Sequence, residues 1–142
     1  MSGYTGRGSS ATNVVQFTTT VENTGTALSV ASDATNGTVI TVNETGLYDV
    51  GCSLGSNGSA DSEPCISRNA SGGDLTAADP ISSIADPKRL TWARTTSASG
   101  TQAVGSPSRA VLLTAGDVIR VHSPVAILSS AYCMLAITKL ST

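Results

Sequence analysis

A chain of 142 residues is one domain by size, and folding at that length removes about two-thirds of the extended surface from water. Hydrophobic residues make up 39% but aromatics only 4%, so Val, Ile, Leu and Ala must build the core. Charged residues are 13%, about half the usual share, and the net charge is −2, which together with recurring apolar β-formers excludes a disordered chain.

Residues 1–13 are rich in Gly, Ser and Thr and are expected to form a flexible arm, with Tyr4 and Arg7 as its candidate anchoring residues. The folded domain is expected over residues 14–142. Val14–Val21 is dense in β-branched residues and stops at Glu22-Asn23-Thr24-Gly25, a turn signal. Thr26–Val30 is a short predicted strand, and Asn36-Gly37 is the strongest local turn pair. Thr38–Val42 enters the Glu44-Thr45-Gly46 turn, and Leu47–Leu54 leaves it. Period-two spacing puts Ile40 and Val42 on one face, then Tyr48, Val50, Cys52 and Leu54 on one face of the next strand.

Pro64–Arg68 predicts a short strand ending at Asn69. Residues 70–87 contain Gly72-Gly73, Asp79-Pro80 and Asp86-Pro87 without a period, which predicts an irregular surface excursion. Arg89–Thr96 returns to a strand pattern centred on Trp92, expected in the core. Gln102–Leu113 is β-like but interrupted at Gly105 and Pro107, and Val118–His122 and Ala131–Leu140 complete the set. No segment of useful length has helical period and cap signals. Eight to ten short antiparallel strands with frequent turns predict an all-β sandwich or jelly roll.

No catalytic set emerges from the residues, and the chain is not expected to be an enzyme or to need a cofactor. The sole histidine, His122, stands at a strand end, expected to be solvent-facing or hydrogen-bonded, with no Gly-x-Ser-x-Gly elbow nearby. Cys52, Cys65 and Cys133 have no Cys-x-x-Cys spacing and are odd in number, which removes a zinc knuckle and a fully paired disulfide framework. Cys52, within an apolar period-two row, reads as a small buried hydrophobe. One His with dispersed Cys does not make a metal site, and no Asp-x-Asp-x-Asp-Gly calcium loop is present. Four Asn-x-Ser/Thr sequons, at Asn36, Asn43, Asn57 and Asn69, are expected by chance in a chain this rich in Ser and Thr.

Charge is uneven: residues 1–63 hold one basic against six acidic residues, and residues 64–142 seven basic against four acidic. Lys88, Arg89, Arg94 and Arg109 are too dispersed, and too short of aromatic neighbours, for a nucleic-acid surface. A complementary protein contact or a solvated face is expected instead. No charged segment followed by an apolar run opens the chain, and no apolar run approaches roughly 18 residues, so neither a leader nor a membrane helix is expected.

Two motifs couple a glycine-bearing turn to a strand: Gly46-Leu47-Tyr48-Asp49-Val50, and Leu112-Leu113-Thr114-Ala115-Gly116-Asp117-Val118-Ile119-Arg120-Val121. The first resembles the Gly-Leu/Ile-Tyr strand start of C1q/TNF-like jelly rolls, and the second that family's Ala-Gly-Asp turn. Ile66-Ser67-Arg68-Asn69 is similar to a strand end common in bacterial and phage members. The last strand, with Leu135, Ile137, Lys139 and Leu140, resembles the family's apolar final strand. The resemblance spans Val14–Leu140; it departs in the last strand, where the aromatics are reduced to Tyr132, and in a longer, Pro-richer segment before Trp92.

The resemblance implies a homotrimer. Both alternating faces of residues 131–137 are apolar, so one face needs cover beyond the domain's own core: a neighbouring subunit or an internal loop. Tyr132, Met134 and Ala136 are the candidate trimer-interface residues. The expected function is a bacteriophage capsid decoration (cement) protein on the capsid exterior, partnering the major capsid protein, without nucleic acid or membrane. The alternatives are a head- or tail-fibre tip binding a host glycan, or a secreted C1q-like binding module.

Overall fold

The computed structural model describes residues 6–7, 13–18, 24–57, 64–77, 79–93, 101–123 and 133–141. In chain order the strands are β1 (Gly6–Arg7), β2 (Val15–Gln16), β3 (Leu28–Asp33), β4 (Gly37–Val42), β5 (Gly46–Asn57) and β6 (Cys65–Arg68). After the excursion come β7 (Arg89–Trp92), β8 (Thr101–Gly105), β9 (Arg109–Leu113), β10 (Val118–His122) and β11 (Met134–Ser141). Five strands form one sheet in the order β3-β4-β10-β6-β7; β11, β5 and β8 form the other, with β9 also paired to β5. Every pairing is antiparallel. The molecule is a jelly-roll β-sandwich.

The core follows the period-two pattern. Ile40 and Val42 of β4, Tyr48, Val50, Cys52 and Leu54 of β5, and Ile119 and Val121 of β10 are all buried between the sheets. Each such aliphatic side chain contributes about 1.5–3 kcal/mol through apolar burial. Of the strand expected over Val14–Val21, residues 14–18 are described: Val15–Gln16 pairs with Gly6–Arg7, and Val14 bridges His122. Phe17 turns into the core, its N–H donating to Thr38 Oγ1 at 2.8 Å while its carbonyl accepts from Ser32 Oγ at 2.9 Å.

Three sequence motifs meet at one end of the sandwich and tie the two sheets together. Asp117 closes its turn by accepting from the Thr114 N–H at 2.9 Å, with Gly116 at φ +96° where a side chain would be strained. Its other oxygen accepts from Asn69 Nδ2 at 2.7 Å, and Asn69 Oδ1 accepts from the Val118 N–H at 2.8 Å. The Ala115 N–H donates to Thr45 Oγ1 at 3.0 Å, joining this turn to the one before β5. There the Tyr48 hydroxyl donates to the Glu44 carbonyl at 2.6 Å, and Lys139 of β11 pairs with Glu44 at 2.6 Å.

Candidate self-association surface

The sheet of β11, β5 and β9 buries one face and leaves the other open. Along β11, Leu135 is 3% exposed while Met134 is 55% exposed and Ala136 is exposed. The register places Met134 opposite Ser53, Ala136 opposite Gly51 and Thr138 opposite Asp49. On the other flank of β5, Leu47 lies opposite Leu112 and Asp49 opposite Ala110. Directly opposed residues of an antiparallel pair share a face, so all of these point outward; Leu140, 54% exposed, lies at the register shift between Lys139 and Ser141.

The surface is apolar and almost without charge. Leu47, Leu112, Met134 and Leu140 are four of the five exposed large hydrophobics among the described residues. Asp49 is the one ionisable side chain on the open face of these three strands, and it accepts from Ser108 Oγ at 2.5 Å. Lys139 alternates to the opposite side and is taken up by Glu44. At Gly51 the chain's own Ser108 lies close by, 3.5 Å from where a methyl group would stand.

Of the candidate interface residues, Met134 and Ala136 stand together on this face. Met134 is 55% exposed, so no loop among the described residues covers it. Tyr132 lies outside the described residues, as does Tyr4 of the candidate arm. Arg7 is described in its backbone, where it pairs with Val15. Sequence reasoning passed over Leu47, Leu112 and Leu140. The signal existed, because each is the odd apolar member of an alternating strand, but their convergence depends on strand order.

One expectation is corrected, and for His122 the hydrogen-bonded of its two expected states is found. Trp92 is not in the core: it is 44% exposed on the edge strand β7, with the Arg89 guanidinium 5.1 Å from its ring centroid, a cation–π contact. His122 is not solvent-facing. It is 0% exposed, and its Nε2 shares a hydrogen bond of 2.7 Å with Ser67 Oγ. Among the described residues its Nδ1 has no hydrogen-bond partner, so none of them supplies the orienting carboxylate of a Ser-His-Asp triad.

The basic residues are occupied inside the fold. Lys88 pairs with Asp74 at 2.7 Å, Arg89 pairs with Asp86, and Arg68 approaches Asp117 at 3.9 Å. Arg109 donates to the Leu90 carbonyl at 2.8 Å; Arg94 lies outside the described residues. Among the described residues no three His, Cys, Asp or Glu side chains group to hold a metal, and no helix is long and apolar enough to cross a membrane. All three cysteines are buried. Burial pushes the Cys52 thiol up to about 11 and the Cys65 thiol up to about 12.

No protein-family model matches the sequence, and no curated protein sequence matches it. Solved structures do match the fold. Murine APRIL crystallised at pH 8.0 aligns with TM-score 0.66 at 18% identity, covering 98% of this chain and 95% of that one. Murine APRIL at pH 5.0 gives 0.63 at 18% identity over 91% and 90%. Eiger TNF from S. frugiperda gives 0.54 at 16% identity, over 79% of this chain and 69% of its own. The fold is that of the C1q/TNF-like jelly rolls.

Proposed function

We propose that this chain is a non-catalytic assembly module that forms a homotrimer through the open face of β11, β5 and β9, and that the trimer decorates a bacteriophage capsid. The observation that carries the trimer is the uncovered apolar surface of Leu47, Leu112, Met134, Ala136 and Leu140, which holds only one ionisable group. Large contiguous apolar patches on soluble chains are covered by partners. A near-neutral face favours a second copy of the same chain, because self-contact there brings few like charges together.

Decoration of a capsid rests on the resemblance of the sequence to phage members of the fold and on the low overall charge. The partner is the major capsid protein, and the virion exterior is the site of action. The arm around Tyr4 and Arg7 serves as the anchor. Add-back to bare expanded shells tests this: trimers should bind and raise the rupture temperature, since a ligand of the expanded lattice stabilises it by mass action.

Trp92 favours a second reading. An exposed tryptophan beside an arginine suits stacking on a sugar ring, as a fibre tip requires. Retention on a host-polysaccharide column, lost in Trp92→Ala, together with shells indifferent to the protein, would select that reading.

A further inference from the structure

The outward face of β6 and β10 carries polar residues where the opposite face carries core. Cys65, Ser67, Arg120 and His122 alternate with the core residues Ile66, Ile119 and Val121. Yet Cys65, Ser67 and His122 are each 0% exposed. The excursion of residues 70–88 meets this face at Arg120, and its Ala70, Ala77, Pro80 and Ile84 are buried outside the main core cluster. Its helix α1 (Pro80–Ser83) is short and capped by Asp79, whose carboxylate accepts from the Ile81 and Ser82 N–H groups.

Polar contacts hold this excursion down. Arg120 donates to the Ala70 carbonyl at 3.0 Å, and Lys88 and Asp74 pair within it. Asn13 clips it to the start of the domain. The Asn13 N–H donates to the Leu75 carbonyl at 2.6 Å, and Nδ2 donates to the carbonyls of Ala77 at 2.8 Å and Thr76 at 3.2 Å. The Asn13 carbonyl accepts from the Ser123 N–H at 2.9 Å, next to His122, and Val14 forms a bridge with His122 itself.

We propose that residues 70–88 are an acid-released cover over the Ser67–His122 pair, and that protonation of His122 loosens the cover and its clip to Asn13. Among the described residues a charged imidazole finds no acceptor at Nδ1 in the closed form. Burial, helped by Arg120 and opposed by Asp74, holds the ring down to about 4, against its ordinary 6.5. The other groups at this face are Cys65, whose thiol stays neutral, and the cations Lys88 and Arg89. The open form therefore binds one proton more than the closed form between those two values, and closure weakens as pH falls through that window. Asp74, held low chiefly by Lys88, acts in the same direction only below its ordinary 3.8.

Amide exchange of the full chain, corrected for its intrinsic pH dependence, tests this. Protection over residues 71–77 should fall about tenfold per pH unit below about 6.5, while β4 and β5 keep theirs. His122→Gln should abolish that slope. An unchanged slope in His122→Gln, or loss of protection in β4 and β5 in step with the cover, overturns the proposal. Should that variant fail to fold, the His122 ring resonance of the wild type decides: titration well below the ordinary value supports the cover, and titration at it contradicts the proposal.

Discussion

Gly46 sits where β5 begins against β11, and a methyl group there would strike the Ser141 carbonyl oxygen and approach Lys139 Cε at 2.9 Å. Gly46→Ala should therefore destabilise by about 1–3 kcal/mol, as overpacking does. Gly73→Ala, where a methyl group meets nothing within 4 Å, serves as the control and should be near neutral. Urea midpoints of the two variants check the contrast. The thiols give a second residue-level expectation. With Cys52 and Cys65 held protonated by burial, iodoacetamide at about pH 8 should leave both unmodified in the native protein and react only in denaturant, since the thiolate is the nucleophile. Mass spectrometry reads the outcome directly. Early native-state modification of either would contradict their burial.

Within β11 two adjacent residues separate folding from association. Leu135→Asp places a charge in the core and should cost several kcal/mol, enough to unfold the chain. Met134→Asp places it on the open face, so circular dichroism and thermal midpoint of the monomer should stay native while association is lost. The strands themselves were legible wherever alternation was clean: Val118–His122 and the inward row of β5 follow directly from period two. Phe17 was not, because its β-branched neighbours suggest continued pairing while its own ring is drawn into the core. The burial of His122 was equally illegible, since its partner Ser67 is brought to it across a long sequence separation. Asp79-Pro80 did carry the cap signal of α1, but four residues are too few to show a helical period. Trp92 misled for another reason: a large aromatic in a chain short of aromatics suggests core, whereas strand order puts β7 at an edge.

For the whole molecule, the described strands bury a core between their own two sheets, yet the β11-β5-β9 sheet presents leucines and a methionine to water. The fold class could be read from two turn-and-strand motifs because those motifs are the hydrogen-bonded knot joining the sheets. The self-association surface could be read only in part, since Leu47, Leu112 and Leu140 come from three strands distant in sequence. Deleting residues 1–12 should leave the thermal midpoint nearly unchanged, because Asn13 and the core strands remain, while binding to capsid shells should fall. Equal binding by the truncated chain would remove the arm as anchor.

Sedimentation velocity across micromolar concentrations, on the wild type and Met134→Asp side by side, tests the trimer most directly. The wild type should sediment at three chain masses, with little dependence on salt because the face is nearly uncharged, and Met134→Asp as a folded monomer. A wild type that stays a monodisperse monomer throughout that range would contradict the account.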